Sequence, residues 1–574
     1  MKGMLNLKKK SFYCQSLITK ELDKNEIYLD GNLFLRENDL ERILSKIARD
    51  YPNLDNLKNL QGHFAIVLFN KRERNLSLIR DQFGVMPLYY SIAGERIIFA
   101  TTITPILEET NQNININQNV IHEYFMFRYV SGENTFFNNI LEVKPGSIVQ
   151  IDSNGKITKK DYYQFKYSSS STESKISASS KFENEFWKSL KKQTFDKDKK
   201  KIGVLSSGGI DSSILVSCAS KILSPGFHTY YIANEGYEHN RTEDVNYLGR
   251  IYNTNHRNVF ISSKEFADNL TETIRINEEP LNHPSSVLRN YLLKQINGEV
   301  DVLLSGEGAD CFYCGYYIFD LINYFYVKNS MRSLTSFIMQ FLPVSCFPKC
   351  YQDKVTKIKK VFTLPPDKYA IFHDLLAFNT KENIELVLKG EFPPNFGRNY
   401  SSLFLNYSRK NILDIILYIY QTLYIIEAFN TVAKLGNANN IEHRHIFINT
   451  VLADLFNNFP WTDKIRFFTR KHQVVELGKK HLPREFFKKP KEGFGVPLQK
   501  WFYDKKGLGR FVGLLNDEKT RNRGILNKKY LDDIINLFHG KSLDSNDYEC
   551  ILWPIINMEL WCRIFIDRDI KGYS

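Results

Sequence analysis

The sequence predicts an α/β protein in two parts: a layered β-rich N-terminal domain, then a doubly wound parallel sheet with additional helices. Three observations predict it. Short apolar runs separated by turn residues dominate positions 1–167. A polar, Ser-rich break follows. Beyond it, apolar strands alternate with longer helical patterns, the signature of a parallel sheet covered on both faces.

In the N-terminal part, Phe64 to Phe69, Leu76 to Ile79, Leu88 to Tyr90 and Ile97 to Ala100 read as strands. The stretch from Ser168 to Ser180 is too polar to bury, so residues 168–185 read as a linker between domains at 1–167 and 186–574. Strands then fall at 202–205, 229–233 and 301–304, and the far C-terminal third is mostly helical and aromatic. The longest apolar stretch, Ile412 to Phe429, carries Asp414, Gln421 and Glu427. Those side chains would be expensive in lipid, so it reads as a buried core helix.

The most informative segment runs from Gly203 to Ser213, where a strand through Val204 and Leu205 enters a Ser/Gly turn. Ser207, Gly208 and Gly209 let backbone N–H groups face an anion, and Ser212 and Ser213 open a helix whose positive end points there. Asp211 stands where an acid can hold magnesium between phosphates. The segment therefore reads as a pyrophosphate loop that cleaves ATP between its α and β phosphates. A second strand, Asp301 to Leu304, ends in Ser305-Gly-Glu-Gly-Ala-Asp310 and repeats that logic. Both loops should open on one cleft beyond the strands' carboxyl ends. Asp211 and Asp310 are then a magnesium pair, and Glu307 a general base towards an incoming amine. Between Lys488 and Pro497, cations flank glycines, and Lys491 is placed to close over a developing polyanion.

The chain has 574 residues and a net charge of +13, with Lys and Arg dispersed among carboxylates. That pattern is a solvated surface, and no basic arm for nucleic acid is visible. The first ten residues have positive charge but no apolar segment behind them, which places the chain in the cytoplasm. Eight cysteines in such a length do not make a disulfide framework. Cys311, Cys314, Cys346 and Cys350 can be written as a zinc quartet, but a long aromatic segment separates the pairs and no His sits beside them at ligand spacing.

Together these residues resemble the asparagine synthetase family. Gly62-His-Phe-Ala65, Arg80 to Tyr90 and Pro145-Gly146 are similar to its class II glutamine amidotransferase half, which has the Ntn-hydrolase fold. Ser207 to Ser213, Glu279-Pro280, Ser305 to Asp310 and Pro490 to Pro497 are similar to its ATP-pyrophosphatase half. The resemblance implies that a substrate carboxylate is adenylated and an amine then displaces AMP. Ser207, Gly208, Gly209 and Ser212 would bind pyrophosphate, with Ser305 and Gly306 also on the ATP site. It further implies Asp211 and Asp310 on Mg2+, Glu307 and Lys491 in catalysis, and Leu205 and Ile232 flanking adenine.

Several positions depart from the family's pattern. Lys2 stands where the glutaminase keeps its nucleophilic cysteine, and Cys14 could serve only after processing. Asp30-Gly31 stands for an Asn-Gly oxyanion pair, and the strands ahead of it read as missing. Residues 311–315 and 433–449, which shape the substrate side of the cleft, are also altered. These departures imply a relative with a dead glutaminase half, of the kind represented by lasso peptide cyclases and β-lactam synthetase. Glu307 argues against the β-lactam type, which has tyrosine there. The expected activity is amide ligation between a small-molecule or peptide carboxylate and an amine not drawn from glutamine, with a precursor peptide and a maturation protease as further partners. The alternative is an asparagine synthetase that takes free ammonia.

Overall fold

The computed structural model describes residues 1–22, 24–110, 114–167, 175–323, 376–394, 396–406, 411–466, 469–488 and 495–569, with isolated positions between 341 and 359. The N-terminal strands are β1 (Lys2–Asn6), β2 (Ser11–Gln15), β3 (Ile18–Glu21), β4 (Asn25–Leu33), β5 (Gly62–Asn70), β6 (Asn75–Arg80), β7 (Tyr89–Ala93), β8 (Arg96–Ala100), β9 (Ile140–Glu142), β10 (Ser147–Ile151) and β11 (Ile157–Asp161). They form two antiparallel sheets, ordered β2-β1-β8-β7-β9 and β11-β10-β6-β5-β4-β3.

Strand alternation assigns each side chain to a layer. Along β5, Phe64, Ile66 and Leu68 pack with Leu44, Ile47 and Ala48 of the helix Glu37–Asp50. Ala65, Val67 and Phe69 point the other way, onto Leu5, Ile97 and Phe99 of the second sheet. That sheet's outer face, with Tyr89, Ile98 and Ala100, is covered by Ile106, Val120 and Ile121 from the helices Thr104–Thr110 and Gln118–Phe127. The result is an αββα sandwich. Three strands precede Asp30, which corrects the expectation that they are missing. β2 and β3 are only half buried along their length, so they carry little apolar signal.

Positions 168–174 of the Ser-rich linker lie outside the described residues, and its later part is helical. The helix Lys175–Gln193 runs through its second half, and Ala178, Phe182, Phe186 and Leu190 form a buried stripe at four-residue spacing.

The second sheet system is parallel: β12 (Ile202–Leu205), β13 (His228–Asn234), β14 (Asn255–Ile261), β15 (Val302–Ser305) and β16 (Glu442–His445), in the order β14-β13-β12-β15-β16. Ile202, Val204, Val302 and Leu304 face one core, while Leu303, Tyr230 and Ile232 face another. The helical stretch Ile412–Ala438 is long and apolar enough to cross a membrane, yet 61% of its most apolar window is buried. Leu413, Ile416, Leu417 and Phe429 pack into one core beside the parallel sheet, and Ile415, Ile419 and Leu435 into the other.

This stretch also joins the two parts. Arg80 donates to Asn430 Oδ1 at 2.6 Å, and Asn430 donates to Glu142 Oε1 at 2.7 Å. Lys434 lies 3.1 Å from Glu278, whose carboxylate accepts the N–H groups of Ile103 and Thr104 at 2.7 Å each.

Candidate functional site

The chain leaves β12 outwards through β13 and β14, then returns to the other side of β12 with β15 and β16. The order reverses between β12 and β15, so a crevice opens at their carboxyl ends. Both sequence-predicted loops emerge there. Asp211 lies in the first turn of the helix Ile210–Ala219, and Asp310 in the first turn of Ala309–Phe312. Gly306 is what lets the loops touch. A Cβ at that position would stand 3.2 Å from Asp211 Cβ and 3.2 Å from the Ser212 nitrogen.

The first loop is closed by its own hydroxyls. Ser207 N–H donates to Ser212 Oγ at 3.1 Å, and the two hydroxyls lie 2.9 Å apart. Ser212 and Ser213 both donate to the Gly209 carbonyl, at 3.1 and 2.8 Å. Arg241 covers the outside of the turn and donates to the Gly208 carbonyl at 3.1 Å. The turn is thus held as a preformed cradle with cationic and hydroxyl groups around it.

Asp211 and Asp310 converge on one cation. Lys471 Nζ lies 2.5 Å from Asp211 Oδ2 and 2.7 Å from Asp310 Oδ1. Burial works against its charge, but the two carboxylates outweigh burial and hold Lys471 above the ordinary lysine range. Its neighbour Arg470 pairs with Asp320 at 3.1 Å and donates to the Gly315 carbonyl at 3.2 Å. The donor set suits magnesium, since two carboxylates from facing loops already share one cationic point. Sequence reading missed Lys471, because Arg470-Lys471-His472 resembles any solvated basic stretch.

Glu307 pairs with Arg289 inside the crevice. Its N–H donates to Ser305 Oγ at 3.1 Å, which in turn lies 3.2 Å from His445 Nδ1 on β16. Glu307, Asp310, Arg289, Asn282 and Glu427 line an open cavity of about 750 Å³. Burial raises Glu427 to about 7, against the opposing hydrogen bonds from Asn282 and Thr431. Arg289 and Glu427 were not singled out for the cleft from sequence. Glu427 had one signal, an acid in the middle of an apolar helix.

Other expectations meet mixed outcomes. Ile232 is 3% exposed and packs into the core, so of the proposed adenine pair Leu205 has more surface to offer. Lys491, Cys346 and Cys350 lie outside the described residues. Among the described residues no group of three His, Cys, Asp or Glu is poised to hold a metal. Cys14 is on β2, and burial pushes its thiol up to about 12, which does not suit a nucleophile. Asp30 is buried, with the Met1 ammonium at 2.6 Å and the Thr101 hydroxyl at 2.7 Å. Burial opposes ionisation of Glu442, but Arg444 and Lys200 hold it down at about 2, and Arg444 also pairs with Asp196 at 2.6 Å.

Comparison with known proteins agrees with this architecture. The asparagine synthase family model matches residues 181–563, and the glutamine amidotransferase domain model matches residues 19–163. An asparagine synthetase [glutamine-hydrolyzing] 1 of Bacillus subtilis is 23% identical over 565 residues, covering 95% of this chain and 84% of the relative. A putative asparagine synthetase [glutamine-hydrolyzing] of Mycobacterium tuberculosis is 22% identical, covering 94% of this chain and 82% of its own. A solved glutamine phosphoribosylpyrophosphate amidotransferase of B. subtilis overlaps 33% of this chain and 43% of its own, at 12% identity and a TM-score of 0.18, too slight to define a fold. The fold and these matches define a two-domain ligase. The chain belongs to the asparagine synthase family.

Proposed function

We propose that this chain is an AMP-forming amide ligase whose amine does not come from glutamine hydrolysed in its own N-terminal domain. The carrying observation is the meeting of two acid-bearing loops at the switch point, with Asp211 and Asp310 on one cation and Glu307 beside them. A substrate carboxylate oxygen attacks the α-phosphorus of ATP, the bond to the bridging oxygen breaks, and pyrophosphate leaves. Ser207, Gly208, Gly209 and Ser212 bind that pyrophosphate, with Ser305 and Gly306 on the facing wall. Asp211 and Asp310 would hold magnesium, which would supply neutralisation of the phosphate charge. The amine nitrogen then attacks the acyl carbon, AMP departs with the bonding pair, and Glu307 takes the released proton. Lys491 steadies the charge of both steps.

Asp30-Gly31 in place of the family's Asn-Gly pair, with the Asp30 carboxylate taken up by the Thr101 hydroxyl, supports a domain without glutaminase activity. We assign residues 1–167 to that domain and take the helix Lys175–Gln193 as the entry to the ligase domain. The substrate side of the crevice, altered at 311–315 and 433–449, supports a peptide or specialised carboxylate and macrolactam closure of the lasso type. A precursor peptide and its protease are the partners of that reading, in the cytoplasm. The names of the relatives favour asparagine formation, and a second reading for this chain is therefore an asparagine synthetase that takes aspartate and, in place of glutamine, free ammonia. Pyrophosphate release by the purified chain separates the two: dependence on aspartate plus ammonium selects the second and rejects the first. Glutamate release from glutamine would reject both.

A further inference from the structure

We propose that Lys471 acts as a stand-in for the metal: without nucleotide it holds the magnesium position and refuses free metal, and it yields only when metal and triphosphate arrive together. This rests on the reading that Asp211 and Asp310 hold the metal. The Lys471 ammonium is 2.5 and 2.7 Å from the two carboxylates, and its side chain is 4% exposed. Two carboxylates and one ammonium leave a single negative charge. A divalent ion in the ammonium's place would neutralise that pair completely, but the displaced ammonium would be left buried without a counter-ion. An uncompensated buried charge is strongly unfavourable, so free metal is excluded. A triphosphate seated on the adjoining Ser207–Ser213 turn changes this, because its oxygens give the ammonium a new partner. Metal and nucleotide then bind with positive coupling, each making room for the other.

The backbone beneath Lys471 is held for such an exchange. Arg470 pairs with Asp320 at 3.1 Å and with the Gly315 carbonyl at 3.2 Å, anchoring the segment to the loop that carries Asp310.

The test is Mn2+ binding to the full chain, followed by electron paramagnetic resonance, alone and with α,β-methylene-ATP. Wild type should bind Mn2+ weakly alone and about tenfold or more tighter with the nucleotide. Lys471→Gln should bind Mn2+ alone about tenfold tighter than wild type, and adding Asp310→Asn should erase that gain. Equal Mn2+ affinity in folded wild type and Lys471→Gln overturns the proposal. If that variant does not fold, tight Mn2+ binding to nucleotide-free wild type overturns it alone. Loss of ATP–pyrophosphate exchange in Asp310→Asn with either overturning result leaves the metal reading standing. Unchanged exchange and Mn2+ dependence in Asp310→Asn defeats the metal reading itself.

Discussion

The Asp310 carboxylate rests against the α-carbon of Gly315: a Cβ there would fall 1.8 Å from Asp310 Oδ1. Gly315→Ala must therefore push the carboxylate off the shared cation point. Overpacking of this kind costs about 1–3 kcal/mol. The expected outcome is a lower unfolding midpoint together with ATP–pyrophosphate exchange reduced at least as far as in Asp310→Asn. Exchange at the wild-type rate would mean that Asp310 does not need its present position.

Asp211→Asn and Asp310→Asn each keep the size of the side chain but remove a charge from the cleft. Exchange should fall by roughly 10² to 10³, the range seen when one group stabilising a developing charge is lost. Isotope exchange between ATP and pyrophosphate reads this directly.

Glu307→Gln separates the two half-reactions. Adenylation does not use a base at this position, so exchange should stay within a few-fold of wild type, while amide formation falls by about 10² or more. Equal losses in both assays would place Glu307 in adenylation instead.

The positions of the two central loops were legible in the sequence for a physical reason. β12 and β15 are continuous apolar runs that end in Gly and acid, and a buried parallel strand has no other way to announce its end. β14 and β16 were not foreseen. They sit at the sheet edges, and Asn255 to Arg257 and Glu442 to Arg444 are polar. Lys471 was invisible for a different reason. What makes it part of the site is that the helix His472–Lys479 begins beside two loops remote in sequence, and no local pattern encodes that meeting. The Ser-rich stretch shows the reverse error, where composition hid the apolar stripe through Phe182 and Phe186.

Two half-buried acids, Glu279 and Glu427, make stability depend on pH. Burial raises each from 4.5 to about 7. Between those values the native state binds more protons than the unfolded chain, so their contribution is present below the unfolded value and is lost as pH rises through about 7. Glu427→Gln should show a shallower fall of the thermal midpoint from about pH 5 to 7.5 than wild type. An unchanged slope would show that Glu427 titrates as an ordinary surface acid.

Lys434 and Glu278, with side chains 2% and 4% exposed, form a buried pair in the C-terminal domain, and Glu278 carries it onto Ile103 and Thr104 of the N-terminal part. Lys434→Met leaves the Glu278 charge uncompensated and should cost about 3–5 kcal/mol in denaturant unfolding. Glu278→Gln on that background should recover part of the loss. If it recovers nothing, the loss comes from the contact of Lys434 Nζ with the Tyr89 ring, 4.8 Å from its centroid, and not from pairing with Glu278.

The helical stretch from Ile412 to Ala438 serves two neighbours along its length. Glu427 faces the crevice, while Asn430 and Lys434 grip the N-terminal sandwich through Arg80, Glu142 and Glu278. The same rod is thus both a wall of the reaction chamber and the axle on which the other domain is mounted. Any substitution on this rod that reshapes the chamber therefore also bears on that mounting, and the sandwich acts as the bearing that keeps the wall in line.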